Sequence, residues 1–144
     1  MSRKLASDNN AILISEDLWL SKLYPEEIST FDDYLRYSSR LKSVVSWHVR
    51  NILAQEISVV LDFPGNVPSQ RQWFRLIFEA AKVDHALHYI VAPDSLCKEQ
   101  LRKRNAEQPE GSMIMSEAEF DYITAYFQPP TADEGFNIIR YDPT

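Results

Sequence analysis

The feature that most constrains this chain is Ile57-Ser58-Val59-Val60-Leu61, where four of five side chains are branched and apolar, closed by Asp62 and then by Phe63-Pro64-Gly65. A nearly unbroken apolar run of this length reads as a strand buried on both faces of a parallel sheet. In open α/β sheets ligands sit beyond the carboxyl ends of the strands, so Asp62 is placed where chemistry occurs. A hydrophobic strand ending in Asp also has the form of a Walker-B strand, whose acid serves a magnesium ion. The same form is common in α/β proteins without such a site, and the motif alone leaves both readings open.

With 144 residues the chain amounts to one ordinary domain, long enough to bury a core without cross-links. At 44% hydrophobic and 25% charged residues it is globular rather than disordered. A net charge of −6 excludes a broad duplex-DNA surface but not a local anion pocket. The single cysteine, Cys97, cannot form an internal disulfide, which fits a reducing cytoplasm. No apolar run approaches the ~20 residues of a membrane span, and Met1 to Ala6 lacks the apolar stretch of a secretory signal. Cytoplasmic localisation and no membrane partner are therefore expected.

Taken in order, Ser2 to Asp8 reads as the end of a helix stopped by Asn9-Asn10. Ala11 to Ser15 is a short buried strand whose carboxyl end carries Glu16 and Asp17, and Leu18 to Leu23 continue as a helix or turn interrupted by Pro25. Thr30 and Asp33 form a capping box that opens a helix running to about Ala54. Its apolar stripe is Phe31, Tyr34, Leu35, Leu41, Val44, Val45, Val49, Ile52 and Leu53. His48 beside that stripe reads as a surface or core-edge residue. After the Asp62 strand, Pro68 sits at an early helix position. The helix from about Ser69 to Lys82 buries Trp73, Phe74, Ile77, Phe78 and Ala81, and Arg71 and Arg75, four apart, share a face.

Ala86 to Val91 is a third strand, and none of His48, His85 and His88 belongs to a metal-ligand motif. Pro93-Asp94 starts a helix that ends in Leu101-Arg102-Lys103-Arg104-Asn105. This basic cluster reads either as a solvated helix C-terminus, where the dipole favours cations, or as a phosphate clamp. Residues 106–115 form a polar loop. Ser116 and Glu119 make a second capping box, opening a helix to Phe127 that Gln128-Pro129-Pro130 stops. Gly135 to Tyr141 is a last strand. Strand and helix alternate four times, which is α/β with a mostly parallel sheet.

Val59-Val60-Leu61-Asp62 followed by Asn66 and Arg71 resembles the small P-loop phosphotransferases of the AAA_33 and zeta-toxin-like group, which includes chloramphenicol phosphotransferase and the 5′-kinase domain of polynucleotide kinase. Ile14-Ser15-Glu16-Asp17 resembles the family's second strand and its acceptor-binding acid, and Leu101 to Asn105 resembles its lid helix. Glu119-Phe120 through Tyr126-Phe127-Gln128-Pro129-Pro130, then Glu134-Gly135-Phe136, resembles its closing helix and last strand. The motifs come in the right order over nearly the whole chain.

The resemblance implies ATP and Mg2+ as cofactors and a small-molecule hydroxyl acceptor. Asp17 would take or orient the acceptor proton. Asp62 would support the magnesium ion, through water. Arg102 and Arg104, on a lid around residues 101–116, would stabilise charge on the transferred group. Asn66 and Arg71 would lie on the acceptor side.

Two departures stand out. The sequence contains no G-x-x-x-x-G-K-[ST] and only three glycines, Gly65, Gly111 and Gly135, although the family's phosphate cradle is a Gly-rich loop plus Lys. Polynucleotide kinases carry an Arg three residues after the catalytic acid, where this chain has Leu20. The expectation is a P-loop-kinase-like three-layer sandwich over residues 1–144 that lacks its central first strand and is inactive. The alternative is a non-catalytic interaction module that keeps the fold. Family strand order 2-3-1-4-5 then implies that the strands at 11–15 and 57–62 separate from those at 86–91 and 138–141. The two open edges are expected to close directly on each other, with self-association through them as another outcome.

Overall fold

A computed structural model describes residues 1–90 and 127–141, together with Glu99, Arg102, Lys103 and Ala106. Helix α1 (Ser2–Asp8) leads to strand β1 (Ile12–Ser15) and helix α2 (Glu16–Leu23). The long helix α3 (Phe31–Ala54) precedes strand β2 (Val59–Asp62), and helix α4 (Pro68–Ala81) connects it to strand β3 (Leu87–Ile90). A 3₁₀ turn (Ala132–Glu134) and strand β4 (Ile138–Tyr141) complete the described chain. The architecture is mixed α/β with parallel strand pairs, as the alternating pattern implies.

Local chemistry sets the helix ends. Ser15 caps α2 through its Oγ, which accepts from the Leu18 N–H, and Glu16 and Asp17 occupy the first turn, where the helix dipole favours anions. Both halves of the Thr30/Asp33 capping box form at the start of α3. Losing such a cap typically costs ~1 kcal/mol, so Thr30→Ala is expected to lower stability by about that amount in urea unfolding, whereas Thr30→Ser should leave it nearly unchanged. Pro68 opens α4, and Lys82 ends it in the left-handed conformation at φ 55°.

The core lies between the β1–β2 pair and helices α2, α3 and α4, and consists of Ile14, Leu20, Leu41, Val45, Val49, Phe63 and Ile77. Phe31, Leu35 and Val44 of the α3 stripe are exposed. A helix of 24 residues is ~36 Å long, whereas a four-residue strand spans only ~13 Å, so the strand pair covers only part of it. The run at 57–61 is likewise not buried on both faces: Ile57 is exposed and Val59 to Leu61 are half-buried.

The reason lies in the sheet. β1 pairs with β2 and β3 pairs with β4, both parallel, but among the described residues β2 and β3 do not pair. The separation into these two pairs follows the expected strand order; the direct closure of the two edges does not occur. A cavity of about 690 Å3 lies between them, lined by every residue of β2 and β3 and by Phe74, Ile77 and Phe78 of α4. The first half of α4 packs on the end of β2 through Phe63 and Trp73, with ring centroids 4.9 Å apart. Its second half stacks Phe78 on His85 at 3.7 Å, with Phe136 edge-on. The helix at 94–105 and the loop, capping box and helix at 106–126 lie outside the described residues, apart from Glu99, Arg102, Lys103 and Ala106. Ala106, expected as loop, is helical.

Candidate functional site

Because β1 and β2 are parallel and Ser15 is the register partner of Asp62, the carboxyl ends of both strands fall at one edge. Asp62 is exposed there and lines the cavity together with Asn66 and His88. Asp17 lies two residues past Ser15, half-buried in the first turn of α2. The two acids proposed from sequence are thus brought to one edge of one strand pair.

Next to Asp17, at the start of α2, is a buried acid. Glu16 is 1% exposed. Its carboxylate accepts hydrogen bonds from the Tyr34 Oη and, at 2.8 Å, from the Ser38 Oγ. Burial, then the charges of Glu16 and Asp17, push the Tyr34 phenol above its usual range, so it stays a donor. Burial lowers the Lys42 ammonium pKa, and the Glu16 charge opposes that shift. Tyr34, Ser38 and Lys42 are four residues apart, so one face of α3 presents all three to Glu16. That spacing was the signal available in the sequence, hidden because Tyr34 was assigned to the apolar stripe.

Arg71 occupies a different setting. It is 1% exposed. Its Nε donates to Glu134 Oε1 and Oε2 at 3.0 and 3.2 Å, and its Nη1 donates to the Gly65 carbonyl at 2.8 Å. Nη2 lies 3.0 Å from Glu134 Oε1, within ion-pair range but without hydrogen-bond alignment. Arg71 therefore ties the turn after β2 to the 3₁₀ turn before β4. Glu134 also accepts from the Thr131 N–H, and Gly135 follows at φ 75°, a conformation that suits glycine.

Asn66 is part of the backbone connection: its N–H donates to Gln70 Oε1 at 2.7 Å and its carbonyl accepts from the Gln128 N–H at 2.7 Å. Arg102 is helical and exposed, and Arg104 lies outside the described residues. Leu20, which stands where polynucleotide kinases carry Arg, is fully buried in the core. His88 Nδ1 lies 2.8 Å from Tyr141 Oη across the β3–β4 pair. Among the described residues no group of three or more His, Cys, Asp or Glu side chains is placed to hold a metal ion, and no helix is long and apolar enough to cross a membrane.

The AAA_33 model, described as an AAA domain, matches residues 1–130. No curated protein and no solved structure matches the chain. The match covers most of the sequence, from α1 through the Pro129-Pro130 stop, and it agrees with the parallel α/β architecture: the chain belongs to the AAA_33 family, a P-loop NTPase, kinase-like family of nucleotide-binding domains.

Proposed function

We propose that this chain carries the acceptor side of a kinase-type phosphotransferase site and does not turn over ATP by itself. The observation behind this reading is a mismatch at one edge. Asp62 ends β2 and Asp17 follows the end of its register partner strand β1 by two residues, an arrangement that suits an acceptor-orienting acid and a metal-supporting acid in phosphoryl transfer to a hydroxyl. Among the described residues the adjoining cavity is lined by no Lys or Arg, and the sequence has no G-x-x-x-x-G-K-[ST]. The residues present do not fit the phosphates of ATP, which need a cradle of backbone amides and a cation. Asp17, beside the fixed Glu16–Tyr34–Ser38 group, orients an acceptor hydroxyl. By the family resemblance Arg102 and Arg104 would stabilise charge on the transferred group, and Asn66 would lie on the acceptor side. Arg71 acts there through the turn it anchors.

Removing one preorganised donor from a transition-state cradle costs about 10²–10³ in rate, so the absence of several leaves no measurable turnover. The purified chain, assayed with Mg-ATP and a panel of small hydroxyl acceptors, is expected to release ADP at the buffer rate, and Asp62→Ala is expected to give the same trace. Turnover that Asp62→Ala abolishes overturns the reading. A second reading, a non-catalytic interaction module that keeps the α/β fold, is favoured by the facing strand edges of β2 and β3.

A further inference from the structure

Helix α3 has two faces of different chemistry. Its buried face, with Leu41, Val45 and Val49, meets the core, and α2, α4 and β2 pack against the helix. On the opposite face Arg36, Arg40, Ser43, Trp47 and Arg50 recur at i, i+4, i+7, i+11 and i+14, the spacing of one stripe. All five are exposed, Trp47 by 63%, and none of them lines the cavity between the strand pairs. From Tyr34 to Gln55 the sequence has Arg36, Arg40, Lys42 and Arg50 and no Asp or Glu, in a chain of net charge −6. The stripe is a cationic strip ~21 Å long on an acidic protein. Its side chains are held along the helix. The Arg36 and Arg40 guanidinium groups lie over the Tyr37 ring, 4.9 and 5.3 Å from its centroid, and Arg36 also meets Asp33 at 3.4 Å. Arg50 Nε donates to the Ser46 carbonyl at 3.3 Å. Ser43 Oγ donates its proton to the Arg40 carbonyl at 2.7 Å, which leaves its lone pairs to accept.

Charge and ring together select the occupant. Arginines on both sides of an exposed indole suit a row of phosphates whose bases are open to stacking. Bases inside a duplex do not offer their faces to an indole, and an acidic peptide has no base to stack. A bilayer surface calls for a broad apolar face, where this stripe has one ring among arginines and a serine. The Ser43 acceptor lies on the same stripe between Arg40 and Trp47, and RNA, unlike DNA, brings a ribose 2′-hydroxyl that donates to it.

We propose that the outer face of α3 binds single-stranded RNA, with Arg36, Arg40 and Arg50 on phosphates, Trp47 stacked on a base and Ser43 accepting from a 2′-hydroxyl. This inference goes beyond the phosphotransferase reading and does not depend on it, because none of the five residues belongs to the proposed acceptor side.

The test uses the full chain and 5′-fluorescein octauridylate, followed by fluorescence anisotropy. Octadeoxyuridylate, an RNA duplex, a polyglutamate peptide and phosphatidylserine vesicles serve as comparison ligands. Octauridylate should bind, with log K falling against log salt at a slope of about −2, from three phosphate contacts at ~0.7 each. Arg40→Gln/Arg50→Gln should weaken binding at least tenfold and flatten that slope to about −0.7. Trp47→Ala should weaken it about tenfold, through the lost base stack. Octadeoxyuridylate should bind about fivefold more weakly than octauridylate, one hydrogen bond being lost. Ser43→Ala should bring octauridylate down to that level and leave octadeoxyuridylate unchanged. All four positions are exposed, so the urea midpoints of the variants should match that of the parent chain. No binding, equal binding of the two octamers, or binding that these variants leave intact overturns the proposal. So does equal or tighter binding of the duplex, the polyglutamate peptide or the vesicles. None of these readouts involves ATP, so their failure leaves the phosphotransferase reading in place, and ATP turnover by the chain would overturn that reading alone.

Discussion

Arg71→Ala is expected to destabilise the chain by about 3–5 kcal/mol, the cost of breaking a buried ion pair from one side. Glu134 retains 17% side-chain exposure, which places the effect toward the lower end. Even so it is a large share of a total stability of about 5–15 kcal/mol. The substitution leaves Glu134 without its cation and the Gly65 carbonyl without its donor, and it frees the 3₁₀ turn that leads into β4. The double variant Arg71→Met/Glu134→Met should be less destabilised than the sum of the two single variants, because it leaves no charge unpaired.

The pair also sets an acid limit. Burial works to raise the Glu134 pKa, but the Thr131 N–H and the Arg71 guanidinium outweigh it and hold the carboxyl below its ordinary value. A carboxyl depressed in the folded state contributes stability that is fully present above its ordinary pKa of 4.5 and is lost as pH falls through the folded value. Urea midpoints measured between pH 3 and pH 6 should fall on the acid side for the parent chain, and the fall should be shallower in Arg71→Ala.

Glu16→Ala is expected to cost about 3 kcal/mol, since it strands two donors, each left unpaired at about 1–3 kcal/mol. Those donors are Tyr34 Oη and Ser38 Oγ. Glu16→Gln keeps one acceptor oxygen and should cost roughly half as much. It should also lower the Lys42 pKa further, because the Glu16 charge opposes the effect of burial there. NMR titration of the Lys42 side chain reads this directly, and an unchanged Lys42 titration would show that Glu16 does not act on it electrostatically.

How much of this was legible in advance differs by element. The capping box at Thr30 and Asp33, the Pro68 start of α4 and the stop at Asn9-Asn10 could be read from neighbouring residues, because a helix end is satisfied by groups a few positions away. The strands at 12–15, 59–62, 87–90 and 138–141 could be read because a short apolar run bounded by turns has few alternatives. The family was legible from the order of weak motifs, and the match over residues 1–130 agrees with it. Arg71 was legible as a helix residue but not as a buried one. Its partner, Glu134, lies 63 positions away, and no local pattern records a contact at that distance.

The sequence by itself determined which segments are strands and helices, that strand connections pass through helices, and that Asp17 and Asp62 stand at carboxyl ends, since all of these follow from local propensity and short-range periodicity. Only the tertiary structure decided that β2 and β3 do not join, that Glu16 rather than Asp17 is the buried acid, and that Arg71 is an anchor between turns. Each of these depends on how bulky side chains from distant elements share space. β2 and β3 have the same short apolar make-up as strands that pair, so local propensity cannot say which of their edges meet; only the tertiary structure shows a cavity of about 690 Å3 where the two pairs would join.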